Sequence, residues 1–463
     1  MNIEQIKYIY FLGIGGIGMS ALARYFKHLG KSVSGYDKTE TALTQQLQKE
    51  GIPIHFEDSG KAVQQWLGST EETLVVLTPA IPNNHKEWAH ITQSGYTIYK
   101  RAKVLGLITA NKQTLAVAGT HGKTTTSTML AHIMYQSSIK TAAFLGGISA
   151  NYQTNLLLPN NDSQVVVVEA DEFDRSFLHL NPVMSIITST DADHLDIYGE
   201  HEALKQSFYD FANQTQRILL IKAELELAKQ IIDAPKPYKV YTYSTTQHAD
   251  YSAQNIQIDA GNYSFDLHTP DGVISTLKLG MPGRHNLENA VAASALALLN
   301  GVNNDELRVA LQNFTGVKRR FEYILRTEKV IYIDDYAHHP EELRATIQSV
   351  KEMYPGKKLT VVFQPHLYSR TRDFAEGFSE ALSLADQVLL MDIYPARELP
   401  IPGVSSAMLL DGITALDKSI VAKSELIDIV TENHHSIILT LGAGDIDVFV
   451  QPIAQSLSKK YGI

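Results

Sequence analysis

The sequence predicts an α/β protein built from three successive parallel-sheet domains. Short hydrophobic strands alternate with amphipathic helices along most of the chain, which is the rhythm of βαβ units. Two glycine-broken loops, GIGGIG at 13–18 and GTHGKT at 119–124, each follow a strand and open a helix. At 463 residues the chain also exceeds what one hydrophobic core usually accommodates.

Composition narrows the class. Hydrophobic residues at 44% and charged ones at 19% suit a soluble globular protein, and no run reaches the 18 apolar residues of a membrane span, so no membrane insertion is expected. The start, MNIEQIKYIYFLGIGG, leads straight into a glycine motif and does not read as a removable signal peptide. The chain has no cysteine, which removes disulfide and thiolate chemistry and makes the cytoplasm the natural compartment. A net charge of -10 argues against a dedicated nucleic-acid binder.

The first domain is expected over residues 1–108. IKYIYFLGI, KSVSGYD and ETLVVLTPAI read as strands, and GMSALARYFKHLG and ETALTQQLQKEG as helices. Gly13, Gly15 and Gly18 form G-x-G-x-x-G, with Gly16 adding flexibility and Asp37 following the second strand. This predicts a diphosphate at the helix N-terminus and a carboxylate for a ribose or similar hydroxyl. The pattern does not separate a nicotinamide dinucleotide from a nucleotide-sugar, and tight strand–helix packing without a ligand would look similar.

The second domain is expected over residues 109–315. Strand LAVA (115–118) enters a loop whose Gly119 and Gly122 permit a tight turn with exposed amides. Lys123 is suited to the β- and γ-phosphates of a nucleotide, and the Thr124 hydroxyl to Mg2+. SQVVVVEAD and VMSIITST are buried strands. Glu169, directly after the apolar run, is the preferred metal ligand, while Asp171 and Glu172 suit a solvated turn or a supporting shell. His194 in DADHLD is able to complete a divalent-ion site. Residues 250–278 read as an antiparallel excursion, and Leu287 to Asn300 as a helix. Asn286 and Asn289 share a helical face, suited to an adenine edge, or Asn286 caps the helix.

The third domain is expected over residues 316–463. KVIYIDDYAHHP, KKLTVVFQPH, DQVLLMDIYP and SIILTLGAGD each end a hydrophobic strand in polar or glycine residues, where ligands of open α/β sheets gather. Arg319-Arg320, the stretch Asp334 to His339, and His366, Arg370 and Arg372 suit an anion-binding wall.

With these strings in place, the chain resembles the Mur ligase family. The matching segments are GIGGIGMS, AGTHGKTTT, EADEFDRSFLHL, ADHLDIYG, GRHNLENA, RRFE, DDYAHHPEE, FQPHLYSRTRDF and LGAGDI, spread over all three domains. The resemblance implies Rossmann-like first and third domains around a central P-loop-type ATPase domain. It implies ATP-dependent ligation of L-alanine to the lactyl carboxylate of UDP-N-acetylmuramate through an acyl phosphate, in cell-wall synthesis, by a monomer or weak homodimer.

Gly15, Gly16, Ile17, Gly18 and Asp37 would hold the sugar nucleotide. Gly119, Thr120, His121, Gly122, Lys123, Thr124 and Thr125 would hold ATP, together with Asn286, Asn289, Arg320 and Asp335. Thr124, Glu169 and His194 would ligate Mg2+. Tyr336, His338, His339, Arg370 and Arg372 would lie near the muramyl carboxylate and the amine. Lys123, Glu169, His194, Arg320 and one of His338 and His339 would carry the chemistry.

Phe173 and Arg397 depart from the family pattern, which usually has serine and glycine there, and Lys205 reads as an ordinary helix lysine. A hinge is expected near 314–317. The rivals are a murein tripeptide recycling ligase and, from other classes, a nicotinamide-dependent oxidoreductase or a non-catalytic nucleotide-binding regulator.

Overall fold

The structure is a computed structural model that describes residues 3–159, 163–191, 201–259, 261–396, 398–432 and 435–463. The expectations for His194 and Arg397 therefore lie outside the described residues. The chain divides into two compact units: Met1–Ser252 with His268–Gly272 and Val291–Ala310, and Ala253–Leu267 with Val273–Ala290 and Leu311–Ile463.

In the first unit, β1 (Tyr8–Leu12), β2 (Ser32–Tyr36), β3 (Ile54–His55), β4 (Thr73–Leu77) and β5 (Thr97–Lys100) form a parallel sheet in the order β3-β2-β1-β4-β5. The order reverses between β1 and β4, the position at which open sheets leave a crevice. Helix α1 (Ile17–His28) buries Met19, Leu22, Ala23 and Phe26, and its last turn carries Lys27 and His28, which suit the negative end of the helix dipole. Helices α2 (Ala42–Lys49), α3 (Lys86–Gln93) and α4 (Arg101–Thr109) complete this layer.

The second sheet runs from β6 (Gln113–Ala118) through β7 (Ala142–Ser149), β8 (Thr154–Leu157), β9 (Val165–Glu169), β10 (Met184–Ile187), β11 (Ile218–Lys222) and β12 (Lys239–Ser244). β6 lies between β10 and β9, with β7 beyond β9. β6, β9 and β10 are almost wholly buried, which explains their unbroken apolar runs. Helix α5 (Lys123–Gln136) is buried from Thr124 to Met134, so the helix after the phosphate loop shows no amphipathic stripe. The excursion is three strands, β13 (Tyr251–Asp259), β14 (Asn262–Thr269) and β15 (Gly272–Leu279), but β13 joins β12 in parallel, pairing Tyr243 with Tyr251.

The third sheet contains β16 (Glu322–Arg326), β17 (Ile331–Asp335), β18 (Leu359–Phe363), β19 (Gln387–Leu390), β20 (Asp417–Ile420) and β21 (Ile437–Leu441), in the order β16-β17-β21-β18-β19-β20. All neighbours are parallel except β16 and β17.

Register decides where the chemistry sits. Leu12 pairs with Tyr36 and Leu77, and Leu77 with Lys100, so Gly13, Asp37, Thr78 and Arg101 leave four strands at one level. Val117 pairs with Glu169, and Ala118 with Ile187. Leu441 pairs with Asp335 and Phe363, bringing the segments after β17, β18 and β21 together.

Candidate active site

The first glycine loop is set by β1 and the start of α1. Gly13 has φ +87°, and a Cβ there would lie 2.3 Å from Thr78 Cγ2. The Gly15 amide donates to Asp37 Oδ2 at 2.7 Å, and Thr39 N to Asp37 Oδ1 at 3.2 Å. The Asp37 carboxylate, expected to meet a ribose or similar hydroxyl, thus also fixes the loop. Gly16, Ile17, Gly18, Thr78 and Arg101 line a cavity of about 230 Å³ whose other wall includes Gly146, Glu169 and Asp171. This joins the first loop to the acidic strand end of the second sheet. The Arg101 guanidinium lies against Gly18, where a Cβ would meet its Nη1 at 2.9 Å, and it pairs with Asp171 at 3.4 Å.

The phosphate loop follows β6. Gly119 has φ +142°, and a Cβ would lie 2.0 Å from Thr188 Oγ1, so only glycine passes here. Gly122, at φ +79°, precedes the first residue of α5. Ser189 Oγ accepts from the His121 amide at 2.7 Å and lies 3.0 Å from Thr120 Oγ1, while the His121 ring faces Asp191 at 3.8 Å. Thr125 is buried in the first turn of α5.

Lys123 Nζ donates to Gly119 O at 2.5 Å and to buried Glu172 at 2.9 Å. Burial disfavours its charge, but Glu172, Asp171 and Glu169 outweigh that and hold the pKa above the usual lysine value. Glu172 is fully buried, so it is the counter-ion of this lysine and not a solvated turn residue.

Glu169 Oε1 accepts from Thr124 Oγ1 at 3.1 Å, and Ser127 Oγ lies 3.5 Å from Oε2. A Cβ on Gly146 would lie 2.1 Å from Glu169 Oε2, so the carboxylate occupies space that only glycine leaves. An oxygen-only pair beside a phosphate loop suits Mg2+, which takes one or two protein oxygens and completes its shell with phosphate and water. Among the described residues, no three of His, Asp and Glu converge as a metal site. Lys205 pairs with Glu202 and Glu226 at 3.0 and 3.1 Å.

The helix expected from Leu287 starts at Arg284. Asn286 is therefore inside it, and its side chain donates back to Pro282 O at 2.7 Å instead of accepting as a cap. Asn289 Nδ2 lies 3.4 Å from Asn286 Oδ1, as expected for a shared face.

The segment after β17 is densely bonded. Asp335 accepts from the Phe321 and Ala337 amides, both at 2.7 Å, and burial pushes its carboxyl up to about 6 against the pull of Arg320 and the two amides. Arg319 bonds Asp334 at 3.3 Å and Gly442 O at 2.7 Å, while Arg320 lies 3.9 Å from Glu342 and 4.9 Å over the Tyr336 ring. The doublet thus divides into a scaffold arginine and one facing the acid turn.

The two histidines also separate. His339 caps the helix Pro340–Met353, with Nδ1 accepting from Glu341 N at 3.4 Å. His338 Nδ1 lies 3.0 Å from Tyr336 O and 3.4 Å from Glu342. A carbonyl only accepts, so neutral His338 carries its proton on Nδ1 and keeps its lone pair on Nε2. Burial pushes this imidazole down to about 4, with Glu342 opposing and Arg370 adding to the effect. His366 stands 6.2 Å from the His338 ring and is likewise lowered to about 4 by burial and Arg370. Arg372 instead pairs with exposed Asp373 at 2.7 Å, because residues two apart on a helix do not share a face.

The polar groups that sequence reasoning missed are Thr78, Arg101, Glu342 and Glu398, the last accepting from Ser369 N at 2.9 Å. Register from Leu77 to Lys100 would have found Arg101, had the half-polar TIYK been read as a strand.

Three family models match in succession: the Mur ligase family catalytic domain over residues 8–113, the Mur ligase middle domain over 117–297, and the Mur ligase glutamate ligase domain over 319–445. Relatives named UDP-N-acetylmuramate–L-alanine ligase include one from Flavobacterium johnsoniae, 50% identical over 99% of this chain and 100% of its own length. Another, from Porphyromonas gingivalis, is 51% identical over 98% of this chain and 99% of its own. A solved UDP-N-acetylmuramate–alanine ligase from Thermotoga maritima matches with a TM-score of 0.81 and 30% identity, over 98% of this chain and 99% of that one. A murein peptide ligase from Psychrobacter arcticus shares the fold, with a TM-score of 0.70 and 22% identity over 97% of this chain and 98% of that one. With two glycine loops, a lysine–threonine phosphate turn and matches to all three models in succession along the chain, the chain belongs to the Mur ligase family.

Proposed function

We propose that this chain joins L-alanine to the lactyl carboxylate of UDP-N-acetylmuramate, with conversion of ATP to ADP and phosphate, in peptidoglycan synthesis. The supporting observation is about 50% identity over the whole chain to ligases named for that reaction. A nicotinamide-dependent oxidoreductase finds no support in the family, and it leaves Lys123, Thr124 and Glu169 without a task. The murein peptide ligases share the fold at lower identity. The domains divide at 1–108, 109–315 and 316–463, and the enzyme works in the cytoplasm as a monomer or weak dimer. No helix of the described residues is long and apolar enough to cross a membrane.

A carboxylate is a poor acyl donor because hydroxide would have to leave. Attack of the lactyl carboxylate oxygen on the γ-phosphorus forms an O–P bond and breaks the bond to ADP. Lys123, released from Glu172, offsets charge on the transferring oxygens, and Arg320 is a further expected phosphate contact. Thr124 and Glu169 would hold Mg2+, with His194 as a further expected ligand, and the bound ion would add charge neutralisation.

The alanine amine then attacks the acyl carbon, and the tetrahedral intermediate collapses to the amide and inorganic phosphate. Alanine enters as the neutral amine, and as the C–N bond forms and its nitrogen becomes acidic His338 Nε2 takes the proton, because His339 is committed to a helix cap; Glu342 stabilises the imidazolium. Tyr336, His366 and Arg370 bind the carboxylate and amine partners, and Asn286, Asn289 and Asp335 the nucleoside. Phosphate release with UDP-N-acetylmuramate, ATP and either L-alanine or tripeptide, with product masses, tests this. Faster turnover with the tripeptide would reassign the amine substrate.

A further inference from the structure

Three acid–base pairs converge on one turn. Lys100 pairs with Asp174 at 2.7 Å, Arg101 with Asp171 at 3.4 Å, and Lys123 with Glu172 at 2.8 Å. Lys123 belongs to the phosphate loop, so this turn already holds one phosphate-seeking cation on a carboxylate. Arg101 is placed like it at the other loop. It leaves β5 level with Gly13 and Thr78, lies against Gly18 at the start of α1, and is the cation lining the cavity among the described residues. The facing wall contributes Glu169 and Asp171. A diphosphate at the free amides of α1 would meet the guanidinium, which presents a planar fork to phosphate oxygens. Asp171 is partly exposed and its ion pair is long, so the pair opens at small cost.

We propose that Arg101 is a diphosphate-binding residue for the sugar nucleotide and that Asp171 is its built-in competitor, holding the guanidinium over the glycine loop until the diphosphate displaces it. This rests on assigning the sugar nucleotide to the first loop. No covalent step is involved, only exchange of one anion for another. Asp171 Oδ1 also accepts from Phe173 N at 3.1 Å, and an asparagine would keep that acceptor while losing the charge. Asp171→Asn therefore separates the competitor from the turn.

Calorimetric titration of the full chain with UDP, and separately with UDP-N-acetylmuramate, tests the exchange. Arg101→Met weakens both about tenfold or more, and Arg101→Lys recovers part of the loss. Asp171→Asn tightens both by up to about fivefold, the span of a partly exposed ion pair, and high salt shrinks that gain. Melting curves identify any variant that has lost its fold. Unchanged or weaker UDP binding by folded Asp171→Asn overturns the competitor. Loss confined to UDP-N-acetylmuramate in Arg101→Met moves the arginine to the muramyl carboxylate and overturns the diphosphate assignment. If UDP fails to bind the unmodified enzyme while it turns over, the assignment of the first loop has failed instead.

Discussion

Replacing Gly146 with alanine is expected to disable phosphoryl transfer while leaving the fold intact. Gly146 does not lie in the left-handed region, so alanine adopts its backbone without strain. The whole effect falls on the new Cβ, which would sit 2.1 Å from Glu169 Oε2, 2.3 Å from Cδ and 2.5 Å from Oε1. Restoring a contact of 3.4 Å, the start of ordinary van der Waals distance, requires a displacement of about 1.3 Å (3.4 less 2.1), on the scale at which misplacement costs about 100-fold in rate. The carboxylate is held by Thr124 and neighbours Ser127, so it moves away from the phosphate loop or drags the threonine with it. The expected result is kcat lowered about 100-fold, a raised Mg2+ requirement, and a melting temperature near that of the unmodified enzyme. Coupled phosphate-release kinetics across a magnesium titration measure this. A folded Gly146→Ala enzyme with unmodified kcat and magnesium dependence would refute the placement of Glu169.

Lys123→Met should abolish ATP-dependent phosphate release while UDP-N-acetylmuramate still binds by calorimetry. It should also destabilise the fold by about 3 kcal/mol, because buried Glu172 loses its partner. His338 falls from an ordinary value of 6.5 to about 4, so between these limits the unfolded chain binds a proton that the folded chain does not. Stability therefore falls as pH drops from 6.5 towards 4, and His338→Gln should flatten part of that slope in melting curves. Asn155→Leu should cost about 1–3 kcal/mol in urea unfolding. Its buried amide donates to Ile17 O at 2.6 Å and Ser20 Oγ at 2.9 Å, and its oxygen accepts from Arg24; an unchanged midpoint would show that these bonds are replaced by water.

Strands buried on both faces were legible because they are written as continuous apolar runs: VVVV before Glu169, LAVA before Gly119, LTVVF before Gln364. Edge and short strands were not. TIYK and DKSI are mostly polar or part-exposed, since one side of an edge needs no apolar residue. The phosphate loop could be read residue by residue because backbone geometry demands glycine there. The two histidines of DDYAHHP could not be separated, as adjacent identical side chains differ only in the partners that the fold supplies. Arg101 escaped notice because its importance lies in strand register. Glu172 could be narrowed only to a solvated turn or a supporting shell, because burial of a charged residue is written in its partner, 49 positions away.

The common level at which the strands end has a consequence for altering this enzyme. The first and last residues of each strand act as a ruler, so deleting one residue inside TLVVL or LTVVF would withdraw Thr78 or Gln364 by one strand step, about 3.3 Å. It would also turn alternate side chains to the opposite face. The stretches beyond the ruler carry no such constraint. Transplants that exchange residues 364–372 between relatives, with the strands kept whole, should change which amine is accepted while preserving activation of the carboxylate. Grafts that cut inside a strand should lose both.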